Sequence, residues 1–143
     1  MFQVKGKDPM KYMLLMNFPY GKWSTDSLFT WPEEDTKAHI AWLRRFNEEL
    51  SANGEYVTAQ GLAVPDEAKI VRARNDGPPE VTDGPFPEAK EFLAGYWMLD
   101  LESMARAVEL AARASGAPGR GGKPLNMPIE VRQMMGGPSS ELG

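Results

Sequence analysis

Cysteine is absent from the sequence, and histidine occurs once, at position 39. The first absence excludes disulfides, zinc–thiolate and iron–sulfur sites, and thiol nucleophiles. The second leaves one chain unable to build a His-rich metal site or a relay of two imidazoles. Long hydrophobic runs are missing as well. The longest, Tyr12–Met16, falls far short of the roughly 20 residues that a membrane-spanning helix needs. Excess positive charge is the last absence: 20 acids stand against 16 bases, a net charge of −4, without the basic footprint of a nucleic-acid-binding chain. Neither nucleic acid nor membrane is therefore expected as a partner, and no residue pattern asks for a cofactor. Met1–Pro9 holds no apolar leader, so the expected location is cytoplasmic.

What is present suits one folded domain. The chain has 143 residues, 42% of them hydrophobic, with 4 Trp, 4 Tyr and 6 Phe to fill a core. We expect an N-terminal extension over residues 1–9, a single domain over 10–135 and a Gly/Ser/Pro-rich tail over 136–143. The compact apolar run Lys11–Phe18 reads as a buried strand. A helix is expected from about Pro32 to Ala52. Thr30 and Glu33 stand at capping-box spacing, Pro32 lies early, and Asn53–Gly54 is a stop. Its apolar face carries Trp42, Leu43, Phe46 and Leu50.

Glu55–Leu62 and Ala68–Arg74 read as strands, and Asn75–Pro79 as a turn into extended Glu80–Thr82. Phe92–Leu99 is the strongest strand signal. Asp100 is placed to cap a helix over Leu101–Ala114, and Met127–Met135 alternates as a half-exposed last strand. Gly116–Pro124 reads as irregular loop; within it, Gly119–Lys123 lacks the spacing of a phosphate-binding P-loop. The element order predicts an α+β, ferredoxin-like split βαβ fold, with two helices on one face of an antiparallel sheet. The other face would stand uncovered, and an apolar sheet face asks for a partner, so a homodimer is expected.

The run Val81–Thr82–Asp83–Gly84–Pro85–Phe86–Pro87–Glu88–Ala89–Lys90–Glu91, followed by Leu93–Ala94–Gly95–Tyr96, resembles the signature of the DGPF-type, YciI-related family. Lys11–Leu15, Ala38–His39 and Ile129–Arg132 resemble its first strand, first helix and last strand, so the likeness spans roughly Met10 to Gln133. The resemblance implies a dimeric α/β barrel of ferredoxin-like subunits and no settled activity. It also implies a connection to extracytoplasmic-function sigma factors, which makes a sigma factor an expected protein partner. Relatives carry a helical His with a partnering Asp as an acid/base pair; the matching residues here are His39 and Asp83.

An imidazole near neutral pKa could shuttle a proton, while a carboxylate on its other nitrogen would fix the tautomer. A His beside a core stripe can equally be structural, held by a backbone carbonyl. The Asp83–Phe86 run has a structural account of its own: a turn carboxylate, a glycine with φ > 0, a rigid proline and a phenylalanine anchored in the core. Its functional account is a rigid loop lining a cleft, with Phe86 in the wall and Asp83 together with Lys90 or Glu91 presented to a ligand. Arg72, sharing a strand face with Arg74, could hold an anion or simply face solvent opposite Glu80. Tyr96 and Trp97 fall on opposite faces of the strong strand; both are candidate ligand-binding residues, and Trp97 could serve an interface or a pocket wall. Trp23 and Trp31 flank a loop that could cover a pocket.

Two functions stand open. One is a homodimeric small-molecule-binding domain, with a cavity between sheet and helices and a tie to sigma-factor signalling. The other is a cofactor-independent isomerase, lyase or oxygenase using His39 and Asp83.

Overall fold

A computed structural model describes residues 10–20, 28–86 and 89–136. The expected extension at 1–9, the tail beyond residue 136 and Trp23 lie outside the described residues. The elements run β1 (Met10–Pro19), α1 (Glu33–Ala52), β2 (Tyr56–Gly61), β3 (Lys69–Arg72), β4 (Glu80–Asp83), β5 (Glu91–Leu101), α2 (Met104–Ser115) and β6 (Ile129–Gln133). Four strands form one antiparallel sheet in the order β2-β5-β1-β6, and β3 pairs with β4 in a separate two-stranded sheet. This is the expected α+β arrangement, an open sheet backed by two helices.

Period-two alternation explains which side of the sheet is buried. Tyr12 and Leu14 of β1, with Trp97, Leu99 and Leu101 of β5, form the core with Phe46 and Leu50 of α1 and Ala107, Leu110, Ala111 and Ala114 of α2. The intervening residues, Met13 and Leu15 opposite Met98 and Tyr96, fall on the other face, which no helix among the described residues covers. A register shift at Met16/Asn17 brings Asn17 against Leu93 and Phe18 against Phe92. Their rings meet edge-on at 5.9 Å. The shift therefore puts aromatic bulk at the helix side of this end of the sheet.

Several local expectations are corrected. β5 continues through Leu101, so Asp100 caps nothing; Ser103 is the cap of α2, its hydroxyl accepting from the Arg106 N–H at 3.1 Å. Pro32 occupies the cap position of α1, and no side chain caps it, so Thr30 and Glu33 form no capping box. Instead the Thr36 hydroxyl donates to the Leu28 carbonyl at 3.1 Å. β3 ends at Arg72, leaving Arg74 beyond the strand.

The Gly84 account changes too, because its φ is not positive. What restricts this position is space: a Cβ here would meet Ile70 at 3.2 Å and Ala68 at 3.3 Å. Phe86 is not a core anchor; it is 63% exposed. The 116–124 loop is more ordered than its glycines and prolines suggest. Pro118 and Pro124 form an isolated bridge around a 3-10 turn at Arg120–Gly122. The consecutive left-handed Gly121 and Gly122 permit that turn (φ 69° and 76°).

Candidate functional site

The lone histidine stands two turns into α1, at the end of the sheet where β1 and β5 carry the register shift. Around it lies an apolar cavity of about 350 Å³, walled by Met16, Phe18, Leu28, Trp31, Ile40, Leu43, Phe92, Leu125, Met127 and Ile129. The wall is built by α1, the β1–β5 end of the sheet with the end of β2, the turn before α1, Ala114 of α2, and the 116–128 loop with the start of β6.

That loop is fixed by its own hydrogen bonds. The Leu125 N–H donates to the Ala117 carbonyl at 2.9 Å, and the Gly119 N–H to the Lys123 carbonyl at 2.7 Å. The Ser115 hydroxyl donates to the Met127 carbonyl at 2.6 Å. Two further contacts tie the loop to the start of α1. The Gly121 N–H donates to the Asp35 carboxylate at 2.8 Å, and Arg120 donates to the Thr30 hydroxyl at 2.9 Å. Gly119 must be small, since a Cβ there would come within 2.6 Å of the Leu125 side chain.

His39 Nδ1 lies 2.9 Å from the Pro118 carbonyl oxygen. A carbonyl only accepts, so Nδ1 carries the hydrogen, and in the neutral ring Nε2 keeps its lone pair. Trp31 packs edge-on to the ring at 5.4 Å, with the planes at 87°. Burial pushes the imidazole pKa below its usual 6.5, and the Pro118 bond offsets this only in part. Among the described residues Nε2 has no hydrogen-bond partner and no buried side-chain polar atom is left unsatisfied, so Nε2 keeps accessible surface, and His39 lines the cavity. The arrangement gives an apolar chamber with one basic nitrogen, held in orientation from behind.

The other candidate residues lie elsewhere. Asp83 is on the β3–β4 hairpin, its carboxylate taken by the Lys69 ammonium at 2.6 Å. That pair holds the Asp83 carboxyl below its usual range, and its side chain is 81% exposed. His39 and Asp83 are thus not brought together in the chain; a backbone carbonyl, not a carboxylate, orients the imidazole. Arg72 stands opposite Glu80 across the hairpin, on exposed backbone.

Phe86 and Glu91 line a second apolar groove, of about 470 Å³, with Leu62, Pro65, Pro85 and Leu93. The Lys90 side chain is exposed, and its carbonyl accepts from the Tyr20 N–H at 2.9 Å. Tyr96 is on the open sheet face. Trp97 is buried against Phe46 at 5.7 Å, its indole N–H donating to Asn47 Oδ1 at 2.8 Å, so it belongs to the core. Leu28 and Leu125, which sequence reasoning did not single out, join the cavity from loops that no periodicity marks, and Met127, expected at the start of the last strand, joins it from just before β6. Among the described residues no three His, Asp or Glu side chains gather as a metal site would require. No described helix is long and apolar enough to cross a membrane.

A family model described as the YCII-related domain matches residues 10–118. The match takes in β1 through α2 and ends at Pro118, short of β6 and most of the 116–128 loop. No curated protein matches the chain.

Proposed function

The chain belongs to the YCII-related domain family, and from that premise we propose that it is a small-molecule-binding domain acting as a homodimer. The observation that carries this reading is the open Nε2 of His39 in an otherwise apolar cavity of about 350 Å³. Ligand sites are mostly apolar spaces with a few placed polar groups, and among the described residues His39 is the one titratable side chain lining this one. A compact ligand with one O–H or N–H donor satisfies both features. The open face bearing Met13, Leu15, Tyr96 and Met98 is the surface proposed to meet a second copy. A sigma factor is the proposed protein partner, testable by pull-down.

The binding test uses p-cresol, an apolar ring with one phenolic donor. Nuclear magnetic resonance titration should move the Trp31 indole and the Met127 and Ile129 methyl signals. His39→Ala should weaken p-cresol about tenfold, the cost of losing one buried hydrogen bond. Unmoved signals in the wild-type protein, or equal affinity in the variant, overturn the reading.

The same nitrogen favours a second reading, a cofactor-independent enzyme with His39 Nε2 as general base. A lowered pKa keeps the imidazole unprotonated at neutral pH, as a base must be. In this reading the Pro118 carbonyl fills the orienting role first assigned to Asp83. Asp83, Arg72, Lys90, Glu91 and Phe86 are then proposed to act from the hairpin side on whatever reaches the groove there.

A further inference from the structure

A cleft of about 610 Å³ adjoins the His39 cavity, the two sharing Phe18, Trp31, Leu125 and Met127 as walls. Its remaining wall includes Arg120 and Lys123. Among the described residues no acid lines either space, although acids outnumber bases in the chain 20 to 16. The cations are also held in place. Arg120 donates to the Thr30 carbonyl at 3.1 Å and to its hydroxyl at 2.9 Å, which sets its positive charge at the cleft. Lys123 closes the Gly119–Lys123 turn through its backbone, while no described residue pairs with its ammonium. The segment that fails as a phosphate loop by spacing thus delivers two positive charges to the edge of an apolar chamber.

We propose that the cavity and cleft together take one amphipathic anion. Its compact apolar body fills the His39 chamber, and its carboxylate, or an anionic group of similar size, reaches Lys123. An apolar chamber with a one-signed rim selects for that combination, because the body gains by leaving water while the head keeps its charge partner. A donor on the body would meet Nε2, so a hydroxylated aromatic or branched-chain acid fits both ends. This deepens the binding reading above and rests on it.

The test compares 4-hydroxyphenylacetate with 4-hydroxyphenylacetamide, matched in shape and differing in charge, by resonance titration of the full chain. The acid should bind about fivefold tighter than the amide at low salt, as expected for one partly exposed charge pair. The preference should shrink as salt rises. Lys123→Gln should remove the preference, and Lys123→Arg should keep it. Equal binding of acid and amide, or a preference that survives in Lys123→Gln, overturns the proposal while cavity binding stands. If neither probe moves the Trp31 signal, the cavity reading itself fails, and this inference with it.

Discussion

Because histidine occurs once, its titration can be followed without any assignment problem. His39 should give a single pair of imidazole signals, and in the folded chain their midpoint should lie below 6.5. Burial is the larger cause, and the Pro118 bond, which supports the protonated ring, offsets part of it. The urea-unfolded chain should titrate at about 6.5. Between those two midpoints the unfolded state binds more protons than the folded one. Stability contributed by the neutral ring is therefore fully present above about pH 6.5 and is lost as pH falls toward the folded midpoint.

One proton limits the slope of that loss to about 1.4 kcal/mol per pH unit. The carboxylates held low by arginines, Glu49 and Glu55, add their own losses only below their usual range near 4.5, so the windows separate. Nitrogen chemical shifts supply a second check: Nδ1 should report as protonated and Nε2 as bare, the reverse of the tautomer free imidazole side chains favour. Adding p-cresol should lower the midpoint further, since a donor on Nε2 competes with the proton. A folded midpoint at or above 6.5, or an Nε2–H tautomer, refutes the reasoning. His39→Phe should flatten the stability profile between pH 5 and 7.

Glu55 ties the start of β2 to α2, its carboxylate accepting from Arg106 Nε at 2.8 Å and Nη2 at 2.9 Å in a mostly buried setting. Glu55→Ala should cost about 1.5 kcal/mol in denaturant unfolding, since it removes two charge-assisted bonds while Arg106 keeps Glu109 as a partner at 2.9 Å; a change within experimental error refutes the role. Gly95 lies where a Cβ would come within 2.9 Å of the Gln60 carbonyl and 3.0 Å of Met16. Gly95→Ala should destabilise by about 1–3 kcal/mol, with thermal melts as the measure. Leu15→Arg places a charge in the middle of the open sheet face. Light scattering should find two chains per particle for the wild-type protein and one for the variant; a wild-type mass of one chain sinks the homodimer.

How much of this was legible in the residues depends on whether a periodic pattern or a single contact decides the outcome. The element order, and the face that Trp42, Leu43, Phe46 and Leu50 present, follow from helix and strand periods alone. Helix starts were less legible, because several residues near each start can cap and tertiary contact chooses among them. Asp100 loses to Ser103 because the β1–β5 ladder pairs Lys11 with Asp100 and Met10 with Leu101, keeping the strand extended. The Asp83–Phe86 run was legible as a turn and misleading in its details. Crowding by Ile70 and Ala68, not a positive φ, restricts Gly84, and neither neighbour's position is written in the run itself.

His39 was legible as a candidate because there is only one. Its true partner was not, because a backbone carbonyl 79 residues away carries no residue-type signal.

That partner also divides the site in a way that bears on what the family can say. Pro118, which orients the imidazole, is the last residue of the family match, whereas Lys123, Leu125 and Met127 lie beyond it. The held, basic nitrogen and most of its apolar wall are thus built within the matched part of the chain, and the cationic edge of the adjoining cleft is built outside it. The family match can therefore cover His39 and most of its cavity without covering the charge at the cavity's edge. Chemistry at Nε2 and selectivity at the loop are separable on this geometry, so exchanging residues 119–127 should change which anion binds while leaving the His39 titration midpoint close to its wild-type value. A midpoint that moves to 6.5 with the exchange would show instead that the loop, and not burial under α1 and the sheet end, sets the state of the ring.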